Sequence, residues 1–382
     1  MFKKILMSVM VSSVVFSSAG AVSAATLPPV HTPALTIDVV VDGKKVSFPD
    51  TEPFFDKNGN TMVPLRFVTE KLGAEVSWNN ATRTATLKYK GKTIVMTINS
   101  KVVKVDGQAV TLNTSAIQVE GRTMVPLRFV SETLQSDVKW DQQSYAVNIV
   151  SPEYQAKIDA GDVKLTWWGR ELRANQNSNE WLLLSDTPDW AYAVKKYQIL
   201  AGGNTFKNKE EVNNRTWDKS NLDRISMNIK NYYKLALNVD YRTIDLNSYG
   251  KESWKQLGAW KGYNPEVYRD FVTFVKKNKL IVEGYASPDP SSVHYNVGVQ
   301  FIRTKFKFRV ISANDASQFS MDSYDPSYAS ESPKFVKKGV WYEGYADISL
   351  FANVTDNQWE FYKVYSPENM FRKGAYSYKE LK

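Results

Sequence analysis

The chain carries the eight residues Thr61-Met62-Val63-Pro64-Leu65-Arg66-Phe67-Val68 twice, and they return unchanged at residues 123–130. The two copies continue in parallel beyond this phrase. Glu70, Leu72, Val76 and Trp78 recur at equal spacing as Glu132, Leu134, Val138 and Trp140. Identity that falls on apolar and turn positions at a fixed period indicates two copies of one small folding unit.

Each copy of the phrase predicts the start of a helix. Pro64 suits the first helical position, where its missing N–H group would have had no partner. The apolar stripe that follows consists of Leu65, Val68 and Leu72. Gly73 is placed to end the first helix. Because the second copy has Gln135 at that position, we expect a less sharply defined helix end there.

Strands are predicted on both sides of each helix. After the helix, residues 75–78 alternate in polarity, and a polar turn and a second alternating stretch at 82–90 close a hairpin. The second copy repeats this pattern up to residue 150. Before the phrase, Asn58-Gly59 predicts a tight turn that follows Phe54-Phe55. We expect Trp78 and Trp140 to be buried at equivalent sites, and residues 36–150 to fold without the rest.

The phrase with its downstream Glu, Leu, Val and Trp, together with the turn Val41-Asp42-Gly43, resembles the copper amine oxidase N-terminal-like module. This module, also called a stalk domain, occurs in secreted proteins of Gram-positive bacteria. The resemblance covers about residues 35–150, with no comparable match beyond 151. It implies a small α+β module that holds other domains away from the cell surface or mediates assembly. It does not imply copper, because the metal of the oxidase belongs to a different domain.

The start of the chain predicts export. Residues 1–25 combine Lys3-Lys4, an apolar run and the small residues Val22-Ser23-Ala24, as a secretory signal peptide does. A proline-rich leader follows at residues 26–35. No later stretch is long and apolar enough to predict a membrane-spanning helix. We therefore expect an extracellular protein, either released or associated with the cell wall, and the oligomeric state stays open.

The composition excludes some kinds of site and suggests the charge of the partner. There are no cysteines, which excludes disulfides, thiolate nucleophiles and cysteine metal sites. A net charge of +9 favours anionic cell-wall polymers or acidic substrates, although the charge alternatively serves only solubility. We expect a wall polymer or polysaccharide as partner, and no nucleic acid.

Residues 152–382 form a second region, because nine of the eleven tryptophans lie there. Helices are predicted from Thr187-Pro188, over residues 221–238 and from Asn264-Pro265. Strands are predicted at 280–286, 293–311, 341–351 and 359–365, with a turn at Ser287-Pro288-Asp289-Pro290. The fold class is therefore α+β: two tandem small α+β units of the stalk type, followed by an α+β domain with helices packed on a curved antiparallel sheet.

One predicted strand carries four cations on one face: Arg303, Lys305, Lys307 and Arg309. Ile302, Phe306, Phe308 and Val310 lie on the other face. Four cations on an exposed strand face are a candidate ligand-binding site that grips a polyanion. The alternative, which is the commoner role of such a face, is a solvated face that prevents aggregation of an edge strand. The apolar phase changes near residues 301–302, which a bulge or a sheet corner there would explain.

Catalytic and metal-binding motifs are weak. The two histidines, His31 and His294, cannot supply the three-histidine site of a copper amine oxidase, and Asn231-Tyr232 lacks the acidic residue of its cofactor motif. We expect no metal site, no cofactor and no catalytic residue. Trp167-Trp168 raises a sugar-stacking hypothesis, although such aromatics usually fill cores.

Two functional hypotheses remain. The first is a non-enzymatic envelope protein in which the duplicated module presents a C-terminal ligand-binding domain at residues 152–382. The second is a secreted hydrolase of wall glycans or phosphate esters that uses carboxylates near Glu283, Asp289 and Glu343. We prefer the first, because an enzyme of this size normally carries a recognisable motif or a cluster of histidines and carboxylates.

Overall fold

The computed structural model describes residues 35–173, 184–187, 219–256, 264–296, 299–319, 336–353, 358–361 and 377–381. The expected signal peptide, nearly all of the leader and the body of the helix expected after Thr187 lie outside these ranges. Within them, no helix combines the length and the apolar character needed to cross a membrane.

Residues 38–150, which we call the N-terminal module, contain short strands and two helices. In chain order the elements are β1 (Asp38–Val41), β2 (Lys44–Lys45), β3 (Phe54–Phe55), β4 (Thr61–Pro64), α1 (Leu65–Lys71), β5 (Glu75–Asn79), β6 (Thr84–Tyr89), β7 (Lys92–Thr97), β8 (Val102–Val105), β9 (Gln108–Thr111), β10 (Ile117–Val119), β11 (Arg122–Pro126), α2 (Leu127–Thr133), β12 (Asp137–Asp141) and β13 (Ala146–Val150).

The two copies of the phrase interlock. Their strands β4 and β11 pair antiparallel, with Val63 opposite Val125. The first strand, β1, pairs parallel with the last, β13, in a sheet of order β12-β13-β1-β2. The middle of the module forms a five-stranded sheet of order β5-β6-β7-β8-β9. One apolar core therefore draws on both copies, and it includes Val63, Val68, Val125 and Val130.

Helices α1 and α2 begin and end alike. Each starts one residue after its proline, so Pro64 ends β4 and is not the first helical residue. The predicted stripe is confirmed, because Leu65, Val68 and Leu72 are buried. The expected difference at the helix ends was wrong. Gln135 takes the same left-handed conformation (φ 57°) as Gly73 (φ 82°). Equivalent backbone hydrogen bonds, from Gly73 or Gln135 and from the residue after it, close both helices.

The two equivalent tryptophans are not both buried, contrary to expectation. Trp78 is partly buried against the module core, whereas Trp140 is 37% exposed. Both lie on strands at the edge of their sheets, β5 and β12, where fewer neighbours can cover a large ring. Trp140 packs edge-on against Phe55 and Tyr145, with ring centres 5.4 and 5.3 Å away.

The elements after the module are helices first and strands last, as predicted. They are α3 (Pro152–Ala160), α4 (Lys219–Ala236), α5 (Leu246–Gln256), α6 (Arg269–Lys277), β14 (Ile281–Asn296), β15 (Val299–Ser312), β16 (Trp341–Asn353), β17 (Gln358–Phe361) and β18 (Ser377–Glu380), with short 3-10 helices at Pro265–Tyr268 and Ala316–Gln318. Helices α3 and α5 had not been predicted. The predicted turn at residues 287–290 lies inside β14, where the chain bulges and continues.

Strands β14 to β18 form one antiparallel sheet, which we call the C-terminal sheet. Its order is β14-β15-β16-β17, with β18 also paired to β16. Helices α4 and α6 pack on one face through a core that includes Ile229, Tyr233, Phe271, Phe306 and Phe308. The α+β class and the packing of helices on an antiparallel sheet are confirmed. The opposite face of the sheet meets the N-terminal module.

Candidate functional site

The cationic face of β15 is covered, so the expectation of an exposed face was wrong. The alternation itself is right, because Ile302, Phe306, Phe308 and Val310 all lie in the helix-side core. On the other face, however, Lys307 is 0% exposed and Arg303 is 3% exposed. Lys305 and Arg309 retain 13% and 30% of their side-chain exposure. The N-terminal module packs over this face.

Lys305, Lys307 and Arg309 have carboxylate partners. The Lys307 ammonium donates to Glu52 Oε1 and to the Phe48 carbonyl, both at 2.7 Å. Burial raises the pKa of Glu52 above its ordinary value even though the Lys307 charge opposes this. The Lys305 ammonium lies 2.7 Å from Glu343 Oε2, and Arg309 lies 2.7 Å from Glu283 Oε2. A polyanion would therefore compete with carboxylates that are already in place.

The bulge lies on the neighbouring strand and not at residues 301–302, since β15 pairs with β16 in unbroken register from Gln300 to Arg309. In β14 the register slips between Pro288, opposite Thr304, and Val293, opposite Ile302. The extra residues of β14 lie beside Arg303 and include Asp289 and Ser292. The Ser292 hydroxyl donates to the Asp289 carbonyl at 2.7 Å, which stabilises the bulge. Two prolines within this stretch cannot donate to a strand ladder, which is consistent with the local loss of pairing.

A cavity of about 300 Å³ opens between the module and the C-terminal sheet. Three parts of the chain form its walls: the strand β2 region of the module, the segment around Arg170 and Asp186, and the module-facing side of the sheet. Its lining residues are Lys45, Val46, Ser47, Arg170, Asp186, Thr187, Ser287, Asp289, Ser292, Arg303, Lys305, Glu343 and Tyr345. Nearly all of these side chains are polar or charged.

Arg170 ties the walls of the cavity together. Its guanidinium donates to Asp289 Oδ2 at 3.0 Å on the sheet and to Asp186 Oδ1 at 2.6 Å. Asp186 also accepts from the backbone N–H of Lys45 on the module at 2.5 Å. Burial works against the charged form of Arg170, but the charges of Asp289 and Asp186 raise its pKa above the ordinary value. The arginine thus stays charged and bridges two carboxylates.

A second group of ions lies behind Lys45. Asp38 accepts from the ammonium groups of Lys45 and Lys230, both at 2.8 Å, and from the Ser287 hydroxyl at 3.1 Å. Burial alone would raise the pKa of Asp38, but the charges of Lys230 and Lys45 hold it well below its ordinary value. The ammonium of Lys45 also contacts the Ser287 hydroxyl. Strand β1 of the module is thereby joined to α4 and to β14.

Ser47, Lys305 and Glu343 line another part of the cavity. The Ser47 hydroxyl donates to Glu343 Oε2 at 3.3 Å and accepts from the Lys305 ammonium at 3.2 Å. Ser47 is exposed. Tyr345 also lines the cavity, and burial together with the Glu343 charge raises the pKa of its hydroxyl above the ordinary value. This side of the cavity therefore presents hydroxyl groups beside one ion pair.

Of the four predicted binding residues, the structure brings Arg303 and Lys305 to the cavity and places Lys307 and Arg309 elsewhere on the same face. Of the three hydrolase carboxylates, Asp289 and Glu343 line the cavity, and Glu283 does not. The side chain of His294 is not among those that the structure describes. Trp168 donates its indole N–H to Asp223 at 2.5 Å and does not line this cavity.

Sequence reasoning missed Lys45, Arg170 and Asp186, because no sequence pattern links these distant positions. A signal for the ion pairs did exist. Glu283-Gly284-Tyr285-Ala286 and Glu343-Gly344-Tyr345-Ala346 flank the cationic strand on both sides. Glutamates on both neighbours of a strand with alternating cations predict ion pairs across the sheet.

Across the part of the chain that the structure describes, no three His, Cys, Asp or Glu side chains group so as to hold a metal ion. The lining residues instead offer paired charges and hydroxyl groups. Such a set can hold a polar ligand through hydrogen bonds.

Comparison with known proteins concerns the N-terminal module. Residues 40–149 match a family model described as the copper amine oxidase N-terminal domain. The resemblance drawn from the repeated phrase is confirmed. A protein of Brevibacillus choshinensis named protease inhibitor is 30% identical over 122 residues, which make up 32% of this chain and 36% of that protein. The match thus spans about a third of the curated relative. No solved structure matches the chain.

Proposed function

We propose that this chain is an exported, non-catalytic binding protein of the cell envelope. In this proposal its ligand binds in the cavity between the copper amine oxidase N-terminal domain and the C-terminal sheet. The observation that carries it is the composite cavity, in which Lys45 and Ser47 of the module face Asp289 and Glu343 of the sheet. Concave sites between two packed parts of a chain are common places for ligands.

Export is supported by the secretory pattern of residues 1–25 and by the absence of cysteine. The family that matches residues 40–149 was expected to act as a spacer. In this chain the same domain also forms a wall of the cavity and holds the sheet through buried ion pairs. We therefore propose that it positions the ligand site in addition to holding it away from the cell surface.

The hydrogen bonds that the candidate carboxylates already make with cations favour a binding function over hydrolysis. Asp289 and Glu343 line the cavity, but each accepts hydrogen bonds from a cation that also holds the walls together. Glu283, the third candidate, pairs with Arg309 away from the cavity. A hydrolase would need at least one of these groups to exchange a proton with its substrate.

Blocking the cavity tests this proposal. We expect Ser47→Trp to abolish ligand binding, because Ser47 is exposed and lines the cavity, so a large ring there fills the space without entering a core. Lys44→Trp is the matched control, because Lys44 is exposed on the same segment and does not line the cavity. Calorimetry of the full chain with extracts of wall polysaccharide and wall polymer measures the effect. Equal binding by both variants would contradict the proposal.

Protease inhibition is a second candidate, favoured by the similarity to the B. choshinensis protease inhibitor. In that case the chain would bind a protein through its surface, and Ser47→Trp would have no effect. If this function applies, we expect an equimolar amount of the chain to abolish the activity of at least one protease in a panel of serine, cysteine and metalloproteases. Full protease activity at a tenfold molar excess of the chain would contradict it.

A further inference from the structure

Most charges around the cavity are paired. Four cationic side chains line it: Lys45, Arg170, Arg303 and Lys305. Three carboxylates line it as well: Asp186, Asp289 and Glu343. Behind them, Asp38 lies 2.8 Å from the ammonium groups of both Lys45 and Lys230. These contacts hold the charged groups in fixed positions. The cavity is therefore polar, and its lining carries an excess of only one positive charge.

Such pairing of charges disfavours a charged ligand. An anion that approaches the cations also approaches their carboxylate partners, and repulsion between like charges is strong where water is partly excluded. To form a strong ion pair with one of these lysines or arginines, an anionic ligand would have to displace the carboxylate that is already bound there. The displaced carboxylate would then be buried without a partner, which is energetically costly. A cationic ligand meets the same difficulty with Arg170 and Lys305.

Hydroxyl groups, in contrast, fit these walls without disturbing the ion pairs. A carboxylate that binds an arginine or lysine keeps free lone pairs, and it can accept one more hydrogen bond. The lining also includes the hydroxyls of Ser47, Ser287, Ser292, Thr187 and Tyr345. The three serines already donate their hydrogens to Glu343, Asp38 and the Asp289 carbonyl, so toward a ligand they can act only as acceptors. Tyr345 adds an aromatic ring, whose face can cover the C–H groups of a sugar.

The size of the cavity limits the ligand. About 300 Å³ lies at the lower end of the range of roughly 300–1,000 Å³ that small-molecule sites occupy. Such a volume suits one or two sugar rings and is too small to enclose a long polymer. A longer chain would place only an end or a side branch in it.

We infer that the ligand of this cavity is a neutral saccharide of one or two rings, free or at the end of a glycan. The inference rests on the proposed function and names its ligand class. Hydroxyls of the sugar donate to Asp289 and Glu343 and accept from Arg170 and Lys305. The sugar thereby joins the ion pairs that hold the N-terminal module to the sheet, and it stabilises their contact.

Matched sugars test the ligand class. Full chain is titrated by calorimetry and by ligand-observed NMR with glucose, N-acetylglucosamine, cellobiose and chitobiose, and with glucose 6-phosphate and glucuronate as anionic counterparts. We expect at least one neutral sugar to bind at least tenfold more tightly than its anionic counterpart. Its Kd should stay constant between 50 and 500 mM NaCl, since an uncharged ligand is not screened. Tyr345→Phe should weaken binding by about fivefold through loss of one hydroxyl.

The variants separate the ligand class from the site. We expect Ser47→Trp to weaken the sugar at least tenfold and Lys44→Trp to leave it unchanged, with circular dichroism showing that both fold. Should the anionic sugars bind more tightly, with an affinity that falls with salt and is lost in Ser47→Trp, the saccharide inference is overturned while the proposed function stands. Binding of neither class, or sugar binding that Ser47→Trp leaves intact, overturns both.

Discussion

Asp56 fixes the turn that precedes the first copy of the phrase. Its Oδ1 accepts from the backbone N–H groups of Asn58 and Asn60, both at 2.8 Å. Its Oδ2 accepts a hydrogen bond of 2.8 Å from the hydroxyl of Thr114, which lies close to the second copy. Although burial opposes the effect, these hydrogen bonds lower the pKa of Asp56 to about 2. One carboxylate therefore links the two copies of the unit.

We predict a titration midpoint near 2 for Asp56, against about 3.9 for an unperturbed aspartate. Because the folded-state pKa lies below the unfolded one, Asp56 stabilises the fold above about pH 4 and loses this contribution as the pH falls toward 2. NMR of the side-chain carboxyl carbon measures the midpoint. Asp56→Asn should remove this part of the acid sensitivity. A midpoint near 4 would contradict the assigned hydrogen bonds.

At the scale of the element, one residue at the end of α2 has an unfavourable backbone conformation. Gln135 occupies the left-handed region that Gly73 occupies in α1. An ordinary L-residue pays about 1–2 kcal/mol for that conformation, and a glycine does not. The backbone hydrogen bonds of the helix end, such as Ser136 N–H to the Ser131 carbonyl at 2.8 Å, hold Gln135 there nonetheless.

We predict that Gln135→Gly stabilises the chain by about 0.5–1 kcal/mol, since relief of strain exceeds the greater chain entropy of glycine. The mirror variant, Gly73→Gln, should destabilise it by a similar amount. Urea unfolding followed by circular dichroism measures both. Variants that shift stability in the same direction would contradict the equivalence of the two helix ends.

The strands beside β15 show how small residues make room for large ones. Gly284 lies opposite Phe308, and Gly344 lies opposite Phe306, on the face that the helices cover. A Cβ atom on Gly284 would lie 2.5 Å from the Lys307 carbonyl oxygen and 2.7 Å from the Cβ of Phe308. The two equivalent Glu-Gly-Tyr-Ala stretches thus shape the core face and supply carboxylates to the other face.

We predict that Gly284→Ala destabilises the chain by about 1–3 kcal/mol through overpacking of a closely packed sheet. Thermal unfolding is a suitable measurement. Gly59→Ala is the control, because nothing lies within 4 Å of its Cβ position and only its backbone conformation (φ 78°) resists the change. A smaller effect at Gly284 than at Gly59 would contradict the close contact.

Much of the architecture could be predicted at this scale. The repeated phrase, the buried helix stripe, the tight turn at Asn58-Gly59 and the alternation along β15 all follow from local periodicity. Local periodicity does not predict what covers each face of a strand. Alternation shows that the two faces differ, but it leaves open which part of the chain packs against each one. For this reason Lys307 was expected to be exposed. The hydrogen bond between Lys45 and Asp186, which are far apart in sequence, could not be predicted either.

At the scale of the whole molecule, two apolar cores are joined by a polar interface. The module core and the helix-side core contain separate sets of residues. Between them lie the Lys307–Glu52 and Lys230–Asp38 pairs, with the two lysine side chains only 1% and 2% exposed. Independent folding of residues 36–150 stays a prediction, which the separate core favours. The cavity, in contrast, exists only when both parts are in contact.

The most direct test of this interface is the unfolding free energy of Lys307→Gln, measured against Arg309→Gln. Removing one partner of a buried ion pair leaves the other unpaired, so we predict a loss of about 3 kcal/mol for Lys307→Gln. Arg309 pairs with Glu283 on a partly exposed part of the same face, and its variant should lose less than about 1 kcal/mol. A Lys307→Gln protein within about 0.5 kcal/mol of the parent would mean that this face is open to solvent.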